Sequence, residues 1–238
     1  MLDFQNRVVM IAGASGNLGK AVVQAFKSAG ASLVLLDRAP DRLPSLFPEL
    51  AHSPNHALLG SVDATNAEAV ERAVNLAVQQ FGHIDVLANT VGGYRAGTPV
   101  HETPVEDWDF MMTLNARAAF VLSRSVVPQM LKQGSGKIVH VAARAALAGN
   151  ANAAAYTASK AAIVRLVESM AAELRHQGIN VNCVLPGTID TPENRQSMPN
   201  ANTSRWVSPG AVADVILFLA SDAARAVHGA AVPVYGRS

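Results

Sequence analysis

The chain has 238 residues, half of them apolar, and a formal net charge of +1. That length and apolar content suffice for one domain with a substantial core. The near-neutral charge offers no footprint for nucleic acid or an anionic membrane, and the seven histidines lack metal-ligand spacing, so neither of those partners nor a metal is expected.

Cys183 is the single cysteine, which excludes an internal disulfide. Its apolar neighbours Val181, Val184 and Leu185 mark it as a buried strand thiol with no positive group to activate it. The amino-terminal residues run into a short apolar stretch ending at glycine, unlike a secretory signal, and no segment reaches the ~20 apolar residues that span a bilayer. A cytoplasmic protein is expected.

Arg7 to Ala12 (RVVMIA) reads as a buried parallel strand, and a helical pattern runs from Leu18 to Ala29. Between them stands the turn Gly13-Ala14-Ser15-Gly16-Asn17-Leu18-Gly19. Its three glycines let the backbone approach a pyrophosphate at the positive end of the helix, and Gly19 lets that helix pack near the sheet. A P-loop is excluded, because Ala14 stands where its first glycine belongs and Ala21 where it needs Ser or Thr. The triplet alone is compatible with a merely structural turn.

The second strand, Ala31 to Asp37, ends in a carboxylate 18 residues after Gly19. There Asp37 can accept hydrogen bonds from an adenosine ribose and repel a 2′-phosphate, which favours NAD(H) over NADP(H). Arg38 qualifies that preference, since its guanidinium could pair with a phosphate if turned inward. An ordinary strand-end acid is the plainer alternative for Asp37.

Four prolines, Pro40, Pro44, Pro48 and Pro54, make residues 40–55 an irregular connection. His56 to Val62 reads as the third strand, followed by Asp63-Ala64 and a helix over Ala67 to Phe81. Asp63 is placed either to accept from an adenine amino group or to cap that helix. Ile84 to Ala88 is the fourth strand, running into Asn89-Thr90-Val91-Gly92-Gly93-Tyr94, a polar turn where open α/β sheets bind ligands.

Val105 to Met130 reads as one long helix with Asn115 inside it. Asparagine has poor helix propensity, so either its side chain or local backbone is needed there, or it is a satisfied buried amide. Lys137 to Ala142 forms the fifth strand. The helix from about Ala153 to His176 carries Ile163, Val167, Met170 and Leu174 on one stripe.

Near the start of that helix Tyr156 and Lys160 stand four residues apart, on one face. A phenol of pKa about 10 exchanges protons near neutrality only beside a positive charge, which Lys160 can supply. Taken alone, the pair is compatible with an exposed helix face. Ile179 to Leu185 is the sixth strand, and Pro186-Gly187-Thr188-Ile189-Asp190-Thr191 opens a polar segment lasting to about Ser208, the length of a lid or a disordered insertion. Ala211 to Ala220 reads as a helix and Ala230 to Tyr235 as the last strand.

The alternation implies a single α/β domain: a Rossmann-like, doubly wound sheet of about seven mainly parallel strands with helices on both faces. The whole chain resembles the short-chain dehydrogenase/reductases, through GASGNLG, Asp37, NTVGG, Asn115, Tyr156-x-x-x-Lys160 and PGTIDT in family order and spacing. The resemblance implies that Tyr156 is the acid/base, that Lys160 lowers its pKa and holds the nicotinamide ribose, and that Asn115 positions a water in a proton relay. Hydride would pass between nicotinamide and a small carbonyl, alcohol or conjugated substrate.

Cofactor contacts implied in this way come from Gly13, Ser15, Gly16, Asn17, Leu18 and Gly19, and from Asp37, Arg38, Asp63 and Ala64. Asn89, Val91 and Gly92 would lie along the riboses, and Pro186, Gly187, Thr188, Ile189 and Thr191 against the carboxamide and pyrophosphate. Gly93, Tyr94, Ala143, Asn150, Met198 and Trp206 are the candidate substrate-pocket residues. A homodimer or homotetramer is implied, through the long helix around Asn115 and the helix after Tyr156.

Two departures stand out. The family's usual catalytic serine falls thirteen residues before the tyrosine, at Ala143, and the glycine turn has Ala12 for a threonine and Asn17 for its middle glycine. The asparagine is expected to tolerate a positive φ there. Both departures, with Gly92-Gly93-Tyr94 and the segment Asp190 to Trp206, resemble the dihydropteridine reductase branch. Reducing a quinonoid ring need not develop a carbonyl oxyanion, so Ala143 would cost little, and Tyr94 and Trp206 could stack on a pterin. A third reading of Ala143 is a dinucleotide-binding sensor or partner protein with weak catalysis.

Overall fold

The computed structural model describes residues 2–237. Seven strands, β1 Val8–Ala12, β2 Ser32–Leu36, β3 His56–Leu59, β4 Val86–Asn89, β5 Gly136–Val141, β6 Ile179–Pro186 and β7 Ala231–Val234, form one parallel sheet in the order β3-β2-β1-β4-β5-β6-β7. β1 is apolar at every position because both of its faces are buried. Val9 and Ile11 point into one core layer, which α1 (Asn17–Ser28) and α8 (Pro209–Ala220) close. Val8, Met10 and Ala12 point into the other, closed by α3 (Ala67–Phe81), α5 (Ala118–Gln133) and α6 (Ala154–Leu174).

Local chemistry sets the helix ends. Asn66 caps α3, its Oδ1 accepting from Ala69 N at 3.0 Å, and Gly82 ends that helix at φ 82°. The cap is therefore not Asp63, whose Oδ1 instead accepts from the N–H and hydroxyl of Thr65, each at 2.8 Å. The proline-rich connection contains one five-residue helix, α2 (Arg42–Leu46), with Pro44 in its first turn, where no intrahelical N–H is lost. β3 stops at Leu59, earlier than expected. A Cβ on Gly60 would lie 2.1 Å from Pro40 O, and Ser61 takes φ 58°, so the backbone bends out of the ladder there.

Two expectations need larger revision. The long helix is interrupted: α4 (Val105–Met111) passes through a π-helical segment, Met112–Arg117, into α5. The segment after β6 contains a further helix, α7 (Pro192–Ser197), and is closed at its base by a bridge between Ile189 and Val207. Among the described residues no helix is long and apolar enough to cross a membrane.

The strand order reverses between β1 and β4, so the loops leaving them part and open a cleft at the carboxyl ends of the strands. Thr90 Oγ1 donates to Ala12 O at 2.8 Å across that switch.

Candidate active site

The glycine turn fills one side of the cleft. Gly13 takes φ +77°, in the left-handed region, and a Cβ there would come within 3.0 Å of Thr90 Oγ1 and Val91 N. A Cβ on Gly19 would lie 2.1 Å from Gly13 O, so α1 meets the turn backbone to backbone. Gly16 is not required by packing, since its Cβ would meet only Gly13 O at 3.4 Å. It begins α1 without a side-chain cap, and the first turn of α1 holds no acidic residue. The positive end of the helix thus faces the cleft, an environment that fits a dinucleotide pyrophosphate. Ser15 and Leu18 are buried beneath it. Asn17 is the first residue of α1 and needs no positive φ, contrary to expectation; that conformation falls on Gly13.

Farther along the rim, Asp37 Oδ1 accepts from Ala39 N at 2.8 Å, and the Asp37 backbone bonds Leu59 O and Val62 N. Asp37 is half-buried, Arg38 is exposed and Ala64 is buried. Asp37 and the Asp63 turn therefore sit at the ends of the neighbouring strands β2 and β3, on the side where an adenosine would lie.

The other side of the cleft is held by buried side chains. Asn115, on the π-helical segment, is fully buried: its Oδ1 accepts from Gly93 N at 3.0 Å, and its Nδ2 donates to Gly93 O at 3.2 Å and Ser159 Oγ at 2.9 Å. Ser159 Oγ in turn donates to Tyr156 O at 2.8 Å. A polar chain thus joins the loop after β4 to the backbone of Tyr156. The widened turn accompanies this inward asparagine, and π segments recur at functional sites. Lys160 is buried and its Nζ donates to Val141 O at 3.0 Å. Gly92 lies between the two groups, because a Cβ on it would be 2.9 Å from both Asn115 Oδ1 and Lys160 Nζ.

A second buried chain lies below. Asn89 Oδ1 accepts from Val91 N at 3.0 Å, and Asn89 Nδ2 donates to His140 Nδ1 at 3.0 Å. That bond makes Nδ1 the acceptor, so His140 carries its proton on Nε2 and donates to Ser123 Oγ at 2.9 Å, whose hydroxyl donates to Ala119 O. Burial, with Lys160 a second cause, pulls His140 down to about 4 and keeps it neutral. The Asn89 side chain therefore braces the turn from beneath. Sequence reading missed Ser159, His140, Ser123 and Thr90. The polar residues inside apolar runs at His140 and Ser123 were the available signal.

Tyr156 stands above these braces. Its ring meets the Tyr94 ring edge to face, at 4.8 Å and 77° between planes. Tyr94 is 71% exposed, yet its loop is pinned: Arg95 pairs with Asp107 at 2.5 Å and lies 4.1 Å over the Phe110 ring, and Gly97 N donates to Asn152 O at 2.8 Å. Burial, with Tyr94 a second cause, pushes the Tyr156 phenol up to about 12. Burial also pulls the Lys160 ammonium down to about 8. In the free protein the phenol therefore lies above its ordinary value, because loss of water around it disfavours the phenolate.

Of the other candidate pocket residues, Ala143 is buried just beyond β5, and Gly93 packs against Leu114, whose Cδ2 would be 2.6 Å from a Cβ there. Asn150 lies on a groove between α4 and α6, with Trp108 and Thr157. Met198 ends α7 exposed, and Trp206 is half-buried beside the Ile189–Val207 bridge. Pro186 ends β6, Gly187 N donates to Val234 O at 3.2 Å, and Thr188 O accepts from Val207 N at 3.0 Å. Thr191 caps α7 through its Oγ1, which accepts from Asn194 N at 3.2 Å. Cys183 is fully buried on β6, and burial pushes its thiol up to about 12.

The sequence profile described as short chain dehydrogenase matches residues 7–202. The chain belongs to the short-chain dehydrogenase/reductase family. It is 33% identical to the 3-oxoacyl-(acyl-carrier-protein) reductase of Thermotoga maritima, over 99% of this chain and 98% of that one. It is also 33% identical to the meso-2,3-butanediol dehydrogenase of Serratia marcescens, over 99% and 95%. A solved short-chain type dehydrogenase/reductase from Mycobacterium ulcerans superposes with a TM-score of 0.92 at 27% identity, covering 99% of this chain and 90% of that one. The protein is thus in an oxidoreductase family that generally uses nicotinamide cofactors.

Proposed function

We propose that this family member is an NAD(H)-dependent oxidoreductase acting on a small carbonyl, alcohol or conjugated substrate, with Tyr156 as acid/base. The observation carrying this reading is the convergence of Tyr156, Lys160 and Asn115 on the loop after β4, across the cleft from an uncapped α1. When bound, nicotinamide supplies or accepts the hydride. The remaining tasks fall to this chain.

A phenol up at about 12 keeps its proton at neutral pH, so Tyr156 would act as general acid toward a carbonyl-type oxygen in the reductive direction, and its phenolate as base in the reverse. Lys160 is mainly charged at pH 7 and holds the nicotinamide ribose. Both N–H groups of Asn115 are committed, so the relay water would take its bond from the second lone pair of Asn115 Oδ1, beside Lys160 Nζ across Gly92. Asp37 and Asp63 bind the adenosine half, with Asp37 favouring NAD(H). The relatives' names, one a reductase of 3-oxoacyl groups and the other a butanediol dehydrogenase, support the carbonyl and alcohol class.

A quinonoid dihydropterin is the second reading, favoured by Ala143 and by the exposed Tyr94 ring set edge-on to Tyr156. NADH and NADPH oxidation against a carbonyl panel and quinonoid dihydropterin separates the two. Carbonyl turnover supports the first and pterin turnover the second; silence on both, with dinucleotide binding retained, supports a sensor. We further propose a homodimer or homotetramer, supported by Trp108, Phe120 and Leu147, which leave large apolar side chains exposed on α4, α5 and the loop before α6. Sedimentation as a monomer at micromolar concentration would contradict it.

A further inference from the structure

The Asn17 side chain, at the position where the turn lacks its usual glycine, is not free. Its Nδ2 donates to Glu193 Oε2 at 2.5 Å. Glu193 is the second residue of α7, so one side-chain pair ties the turn that opens α1 to the segment spanning 186–208. That segment is a closed piece of structure. Asp190 N donates to Val207 O at 2.8 Å at its base, Arg195 bonds both Asp190 oxygens at 2.6 and 2.8 Å, and Asn194 Nδ2 donates to Ile189 O at 2.8 Å.

A bond from its own backbone, then those from Asn17 and Thr191, and the nearby Lys20 hold the Glu193 carboxylate below its usual range. It is a lid-borne anion beside the first turn of α1, which has no acidic residue of its own. An anion is favoured at that helix end by the same partial charge that a pyrophosphate would use. The two negative groups would then compete for one place.

We propose that Asn17 and Glu193 form a clasp closing the lid over the mouth of the cofactor cleft, and that an entering dinucleotide pyrophosphate displaces the Glu193 carboxylate. The clasp thereby governs cofactor exchange. It holds α7 down in the free protein, yields to the pyrophosphate on binding, and re-forms on release. The displacement rests on the reading of the cleft as a dinucleotide site; the clasp itself does not.

The test compares wild type, Glu193→Gln and Asn17→Ala. NADH affinity and dissociation rate are measured by fluorescence at low and high salt, and amide hydrogen exchange across residues 189–207 is measured without dinucleotide. Glu193→Gln keeps an acceptor but loses the charge. It is expected to bind NADH about two- to tenfold more tightly and release it more slowly, with the gain shrinking in high salt. Asn17→Ala is expected to speed exchange across α7 in the free protein. Unchanged affinity and release in Glu193→Gln overturn the displacement, and unchanged exchange in Asn17→Ala overturns the clasp. Failure of the wild type to bind NADH or NADPH overturns the dinucleotide reading and the displacement together, while the exchange result still decides the clasp.

Discussion

In the turn between β1 and α1 the geometry is held by backbone and by the absence of two Cβ atoms. Around Tyr156 it is held by buried side chains reaching across long sequence distances. Gly19 meets Gly13 and Ala14 main chain to main chain and Gly13 meets Val91 N and the Thr90 hydroxyl, whereas Asn115 joins Gly93 to Ser159, and Asn89 joins Val91 to His140. The two sides should therefore fail in opposite ways: the turn when atoms are added, the corner around Tyr156 when atoms are removed.

The largest effect on the fold is expected from adding one carbon at Gly19. Gly19→Ala places a Cβ 2.1 Å from a carbonyl oxygen that no rotamer change can move aside. It should cost about 3 kcal/mol of stability and weaken dinucleotide binding, measured by denaturant unfolding and NADH titration. Gly16→Ala, which meets only an ordinary contact, should leave stability nearly unchanged.

On the other side, Lys160→Met removes a buried cation. The folded pKa of Lys160, about 8, lies below its unfolded value near 10.5, so between those values the unfolded chain binds more protons. The burial penalty is full below pH 8 and relieved as pH rises through 10.5. Wild type should gain about 3 kcal/mol relative to Lys160→Met across that window, read from unfolding curves of both proteins; a constant difference would place Lys160 in a wetter site.

A smaller loss is expected from Ser159→Ala, which strands an Asn115 N–H in the core. It should destabilise by about 1–3 kcal/mol, and Ser159→Thr should restore part of that if the larger side chain is accommodated. Ala143→Ser sharpens the contrast by adding a group to the corner instead of deleting one. If the pocket handles ordinary carbonyls, their reduction should rise about tenfold in steady-state assays, since oxyanion donors contribute at this scale or above. No change, or a loss, would point to a substrate that develops no such charge.

The same contrast explains what could be read from the chain before folding. The turn was legible because glycine spacing is local, and the sheet because Val-, Ile- and Leu-rich runs alternate with helical stripes. α3 was placed at Ala67–Phe81 to the residue from its apolar spacing, although its cap is Asn66 and not the Asp63 that the sequence offered. The corner was legible only in its end members. Tyr156, Lys160 and Asn115 stand in a recognisable order, but Ser159 as the link between Asn115 and Tyr156, and His140 as the brace under Asn89, depend on pairings 44 and 51 residues apart. Burial and the Tyr94 ring, the causes that push the Tyr156 phenol up in the free protein, were not legible in the Tyr-x-x-x-Lys spacing. The π-helical segment was signalled only by the odd placement of an asparagine within a helix.

The central claim is that Tyr156 donates the proton in an oxidoreductase reaction, and its most direct test is Tyr156→Phe. NADH oxidation should be followed with a substrate the wild type turns over, beside NADH binding measured on the same preparations. The expected result is a loss of turnover of about 100-fold or more with dinucleotide affinity kept. Wild-type turnover in the phenylalanine variant would contradict it.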